Sequence, residues 1–154
     1  MVDPVLKSVN IRNVSFGENV TVIQPVNLYE CSIGNHCFIG PFVEIQKQVR
    51  IGPYTKIQSH AFICELVNIG SHCFISHGAK FINDTFEQGE PAGGEKTKWK
   101  KTTIGDYVSI GTNATILPVN ITDHVVVGAG SVVTHDINEP GIYAGNPARK
   151  IRSL

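Results

Sequence analysis

Ile33-Gly-Asn-His-Cys37-Phe-Ile39-Gly-Pro-Phe-Val43-Glu-Ile45-Gln-Lys-Gln-Val49-Arg-Ile51-Gly-Pro-Tyr-Thr55-Lys-Ile57 carries an isoleucine at every sixth position. The beat continues through Ile63, Ile69, Ile75 and Phe81, resumes at Ile104, Ile110 and Ile116, and returns at Ile121, Val127 and Val133. Val14, Val20 and Val26 lead into it. Six is neither the 3.6-residue period of a helix nor the plain alternation of a hairpin strand. It is the period of a solenoid in which each hexad makes one short strand and one corner. Three corners close a triangle, so the sequence predicts an all-β fold, a parallel β-helix of hexapeptide repeats. It has about six coils, one protruding loop and a short C-terminal tail.

Side chains alternate along a strand, so the beat residue and the residue two before it both face inward. Cys31, Cys37 and Cys73 occupy that second class with Val43, Val49, Thr55 and Ala61. They read as small core residues, and no CxxC pair suggests a metal cluster. Cys64 falls outside the class and is expected to be exposed. Glycine follows the beat at Gly34, Gly40, Gly52, Gly70, Gly105, Gly111 and Gly128, and is expected to supply the unusual φ angles of the corners. Val26 to Ile33 reads as one residue too many, and Ile116 to Ile121 as one too few.

The chain of 154 residues suits one domain. We place the β-helix at about 9–137 with its loop at 85–102, and a C-terminal segment at 138–154. Thirteen basic residues balance thirteen acidic ones, so no basic stripe points to nucleic acid or an anionic membrane. No run approaches the roughly 20 apolar residues of a membrane span. The N-terminus lacks the basic and apolar regions of a secretion signal, and the expected location is cytoplasmic. The beat breaks between Phe81 and Ile104, which lie 23 positions apart where six would serve. This polar, Gly-rich excursion holds Trp99 near its end. Loops thrown from rigid scaffolds commonly carry function.

Ile104-Gly-Asp-Tyr-Val-Ser-Ile-Gly111, Ile116-Leu-Pro, Val127-Gly-Ala-Gly-Ser-Val-Val-Thr134 and Ala144-Gly-Asn-Pro-Ala-Arg149 resemble the C-terminal half of hexapeptide-repeat acyltransferases. Ser59-His-Ala-Phe-Ile-Cys64 and Phe74-Ile-Ser-His-Gly-Ala-Lys-Phe-Ile-Asn-Asp84 resemble the branch that N-acetylates amino sugars carried on UDP or dTDP. The resemblance implies a left-handed coil, against the usual right-handed crossover rule. It implies a homotrimer with active sites between subunits, acetyl-CoA as co-substrate, and no metal. The acceptor it implies is a nucleotide-linked amino sugar, a 3-amino-3-deoxyhexose for surface polysaccharide. By the same resemblance Gly111, Thr112, Ala129, Thr134, His135, Arg149 and Lys150 line the coenzyme site. Many relatives have lysine where His135 stands, and histidine carries only part of lysine's charge at neutral pH.

Acyl transfer to a hydroxyl calls for a general base, usually histidine. O-acetylating relatives keep one a few residues past the corner at which this chain reads Asn83-Asp-Thr-Phe86. That absence favours an amine acceptor, which needs orientation more than deprotonation. Asn83 is the first candidate for holding the amine and His77 the second catalytic candidate. Asp84, His60 and Trp99 are candidate substrate contacts, and a backbone N–H near Gly111 is a candidate oxyanion donor. His36, His72 and His124 sit three residues after the beat and read as corner residues. Three alternatives stand beside this reading. One is sugar O-acetylation with His77 as base. Another is a zinc-binding, carbonic-anhydrase-like β-helix using His72 and His77, five apart. The last is a structural scaffold.

Overall fold

A computed structural model describes residues 4–154. The chain winds as a left-handed parallel β-helix with three flat faces. The first face stacks Ile11–Arg12, Asn27–Tyr29, Glu44–Ile45, Phe62–Ile63, Lys80–Phe81, Thr115–Ile116 and Val132–Val133. The second stacks Ser15–Phe16, Ser32–Ile33, Arg50–Ile51, Val67–Ile69, Thr102–Ile104 and Asn120–Ile121. The third runs from Thr21–Val22 through Phe38–Ile39, Lys56–Ile57, Phe74–Ile75, Ser109–Ile110 and Val125–Val127 to a closing hairpin, Gly141–Gly145 and Ala148–Arg152.

Each beat residue is stacked beneath its counterpart in the next coil: Ile33 under Ile51, Ile39 under Ile57, Ile45 under Ile63, Ile69 under Ile104. The ladders fill the prism, and Ile39, Ile45, Ile57, Ile63, Ile75, Ile110 and Ile116 are fully buried. Each such side chain contributes roughly 1.5–3 kcal/mol by leaving water. Cys31, Cys37 and Cys73 are buried among them.

The corners are built differently from the expectation. The glycines that follow the beat do not have positive φ. That conformation falls two or three residues after the beat, at Asn19, His36, Phe42, Gln48, Tyr54, His60, His72, Tyr107, Asn113 and His124, among others. The glycines answer another need. A Cβ on Gly52 would lie 2.5 Å from the carbonyl carbon of Gly70, and one on Gly111 would lie 2.5 Å from the nitrogen of Ala129. Coils stack about 4.8 Å apart, and at this point backbone meets backbone.

The second and third corners keep the six-residue step throughout. Every departure falls at the corner between the first and second faces. Ile11 to Phe16, Leu28 to Ile33 and Ile116 to Ile121 take five residues there, and the long excursion leaves from the same corner. The lead-in valines are off by two: Phe16, Val22 and Leu28 pair with Ile33, Ile39 and Ile45, so Val14, Val20 and Val26 belong to the other inward class. Both classes face the core, and an apolar residue at either one reads alike. The step to Ile33 is therefore one residue short rather than one long. The prism also has a seventh coil, made by Val132–Val133, the Ile121–Ile137 bridge and the pairing of Gly141–Gly145 with Val125–Val127. Ile137 follows Val133 by only four residues, which silences the beat. Antiparallel pairing with Ala148–Arg152 then covers the last strand of the third face.

Ile57→Ala should cost about 2–5 kcal/mol in urea unfolding, while Lys56→Ala should stay within about 0.5 kcal/mol of wild type. Gly52→Ala should destabilise as well, although glycine to alanine in ordinary backbone usually stabilises. A Gly52→Ala protein as stable as wild type would overturn the close-approach account.

Candidate active site

The excursion is pinned at several points. Asn83 lies at its root, where its carbonyl accepts the Lys100 N–H at 2.9 Å. Its side-chain Nδ2 donates to the Glu65 carbonyl one coil below, at 3.2 Å. That bond sets the amide's orientation and leaves Oδ1 without a partner among the described residues. Asp84 faces the loop itself: its carboxylate accepts the Phe86 N–H at 3.0 Å and the Ala92 N–H at 2.8 Å. Those two amides, Ala92 first, hold its carboxyl below the usual carboxylate range. Lys96 reaches down to Glu65 at 2.7 Å, and its ammonium lies 5.4 Å from the centre of the half-buried Trp99 ring. Lys100 pairs with Glu87 and Lys98 with Glu95. Thr102, read as the loop's end, is buried in a strand.

Cys64 is also buried, against expectation, and burial pushes its thiol up to about 12. Its register is outward, yet it belongs to the buried core cluster.

The corner from the third to the first face gathers a second set. The exposed His77 shares a 2.8 Å hydrogen bond between its Nδ1 and Ser59 Oγ, one coil below. That contact occupies Nδ1, and Nε2 has no hydrogen-bond partner among the described residues. His60 stacks on Phe42 at 4.8 Å, and its carbonyl accepts from Lys80 Nζ. Thr112 Oγ1 and Ser76 Oγ lie 2.8 Å apart. The next coil brings Ala129, where the Gly130 N–H donates to the Thr112 carbonyl. The hairpin turn follows, with the Gly145 N–H on Ser131 Oγ at 3.1 Å. The N–H of Gly111 is not a free oxyanion donor, because it donates to the Val127 carbonyl at 2.8 Å within the ladder.

Gly111, Thr112 and Ala129 thus form one column with His77 and His60, and Arg149 follows the hairpin turn that crowns it. Thr134 and His135, hydrogen-bonded to each other at 2.8 Å, lie beyond the opposite edge of the first face. Lys150 pairs with Glu139 at 2.8 Å. Asn83 and His77 stand at opposite edges of that face, with Lys80–Phe81 between them, so one protomer does not bring them together. The two histidines of the zinc alternative also separate. His72 stacks between Tyr54 and Tyr107 on the corner between the second and third faces, away from His77. That corner carries a column of five rings, His36, Tyr54, His72, Tyr107 and His124, with centroids 4.8–5.0 Å apart. The 18-residue spacing of His36, Tyr54 and His72 was the signal for it. Among the described residues no three His, Cys, Asp or Glu side chains come together as a metal site.

A solenoid of hexads with one clamped loop defines the protein as a hexapeptide-repeat β-helix. Residues 30–65 match the bacterial transferase hexapeptide (six repeats), and residues 101–135 match the hexapeptide repeat of succinyl-transferase. The crystal structure of a variant of AntD, an N-acyltransferase from Bacillus cereus in complex with dTDP and coenzyme A, superposes with a TM-score of 0.71 at 28% identity. That match covers 90% of this chain and 83% of that one. The bifunctional protein GlmU of Prochlorococcus marinus is 32% identical over 154 residues, 94% of this chain and 33% of its own. The galactoside O-acetyltransferase of Escherichia coli is 49% identical over 53 residues, 34% of this chain and 26% of its own. The chain spans a third or less of these two curated relatives. Along its β-helix the chain is thus similar to hexapeptide-repeat acyltransferases.

The Asp84 clamp has a pH signature. A carboxyl held low in the folded loop stabilises it fully above the unfolded value of about 3.9, and this support fades as pH falls through the lower folded value. Hydrogen exchange at Phe86 and Ala92 should stay slow down to about pH 5 and speed up, beyond the intrinsic pH effect, below about 4. Asp84→Asn should exchange faster at neutral pH. Equal protection in that variant would remove the clamp.

Proposed function

We propose that the protein transfers acetyl from acetyl-CoA to the amino group of a dTDP- or UDP-linked amino sugar, a 3-amino-3-deoxyhexose destined for surface polysaccharide. The observation that carries this reading is Asn83, whose Nδ2 is tied to the Glu65 carbonyl so that Oδ1 remains an acceptor. A sugar amine attacks the thioester carbonyl as the free base, and its nitrogen gains positive charge as the C–N bond forms. An oxygen acceptor aimed at an N–H of that amine orients the lone pair and stabilises the developing charge. The tetrahedral intermediate then expels the CoA thiolate, which takes the proton released by the nitrogen. The likeness to an N-acyltransferase crystallised with dTDP and coenzyme A supports the same pair of substrates.

The coenzyme lies along the column of Thr112 and Ala129, beneath the hairpin turn and Arg149. The working form is a homotrimer, in which the Asn83 corner of one prism meets the His77 corner of its neighbour. A reaction that draws on acetyl-CoA is proposed to run in the cytoplasm. A second reading, O-acetylation, draws on the Ser59–His77 hydrogen bond, a base held by an orienting partner.

Thiol release from acetyl-CoA against a panel of dTDP- and UDP-linked amino sugars tests the proposal. Asn83→Ala should lower kcat/KM by roughly 100-fold, with His77→Ala affected far less. Loss of turnover in His77→Ala with Asn83→Ala near wild type would transfer the chemistry to a hydroxyl acceptor.

A further inference from the structure

A groove of about 640 Å³ runs along the second face beneath the root of the loop, a size typical of small-molecule sites. Three successive rungs of that face, Ser32, Arg50 and Asn68, project into it, and Gln48 and Lys101 line its corner side. Its one acid, Glu30, is already neutralised by Lys47 at 2.6 Å. The loop's other lysines are occupied as well: Lys96 by Glu65, Lys98 by Glu95 and Lys100 by Glu87. Lys101 and Arg50 have no carboxylate within salt-bridge distance among the described residues. The groove therefore presents two unpaired cations among neutral hydrogen-bonding side chains, a setting that suits a doubly anionic, polyhydroxylated ligand.

Its position adds the chemistry. Lys101 follows Lys100, whose N–H is bonded to the Asn83 carbonyl, and Leu66 in the groove wall lies one residue beyond Glu65, which holds the Asn83 side chain. The groove's upper wall at Leu66 lies one coil, about 4.8 Å, below Asn83 and Arg50 lies two coils below it, a reach that suits a sugar carried on a diphosphate. We propose that this groove holds the diphosphate of the nucleotide-linked sugar, with Arg50 and Lys101 as its two phosphate ligands and the sugar rising toward Asn83. The inference rests on the nucleotide-sugar reading above. Coenzyme A carries a diphosphate too; its column lies at another corner of the same prism, but in the proposed trimer a neighbour's column faces the Asn83 corner, which makes CoA the competing occupant.

Calorimetric titration of the full chain with dTDP, UDP and CoA separates these cases. Arg50→Ala and Lys101→Ala should each weaken nucleoside diphosphate binding roughly tenfold or more, and the double variant more still, with CoA affinity within twofold of wild type. In turnover the KM for the nucleotide sugar should rise while kcat holds. Both side chains are exposed, and thermal melts will confirm that the variants fold. A double variant that binds nucleoside diphosphate as tightly as wild type overturns the groove and leaves the N-acyltransferase reading intact. Loss of CoA binding instead assigns the groove to the coenzyme and also overturns it. A wild-type protein that binds CoA and neither nucleoside diphosphate removes the nucleotide-sugar reading, and the groove with it.

Discussion

The close stacking of backbone on backbone governs this molecule. Parallel coils share hydrogen bonds at every rung, so their spacing is that of neighbouring strands. At the residue after the beat no Cβ fits between coils such as those of Gly52 and Gly70. The corner itself then turns two or three residues from the beat through the left-handed region, at residues such as His36, Tyr54 and Asn113. Asparagine tolerates that conformation, but Tyr54, Phe42 and Tyr107 do so at some cost. Stacking of their rings, as in the His36 to His124 column, accompanies the strained positions and ties coil to coil.

One corner escapes this regularity. Between the first and second faces the step shortens to five residues at several coils and lengthens to 23 at one. The other two corners keep strict time and hold the register, which frees this one to vary. The excursion there is no slack loop. Glu65 anchors it from below through Lys96 and Asn83, and Asp84 ties it to itself. The same contacts that close the loop aim the Asn83 amide, and they leave Lys101 as the loop lysine free to meet a ligand.

The sequence carried the fold a long way. Period six, glycine after the beat and small inward residues are all consequences of local geometry, and they repeat often enough to be read. What misled is also local. Glycine is needed for two different reasons, strained φ and close approach, and the letter does not say which. Valine at either inward class looks the same, which hid the register at Val14, Val20 and Val26. Cys64 has an outward register and a buried environment, and alternation along a strand does not report what covers a side chain. Asn83 and His77 look adjacent at six residues apart, yet one flat face separates them.

The sequence by itself determined the prism, its repeat, its ladder residues and the place where the beat breaks, because each follows from contacts that recur at fixed spacing. Only the tertiary structure decided which corner bears the irregularity, that Glu65 holds Asn83 and Lys96 together, that Asp84 is spent on the loop, and that Arg50 and Lys101 share a groove. Those contacts join rungs from different coils with the non-repeating excursion, and no period encodes them.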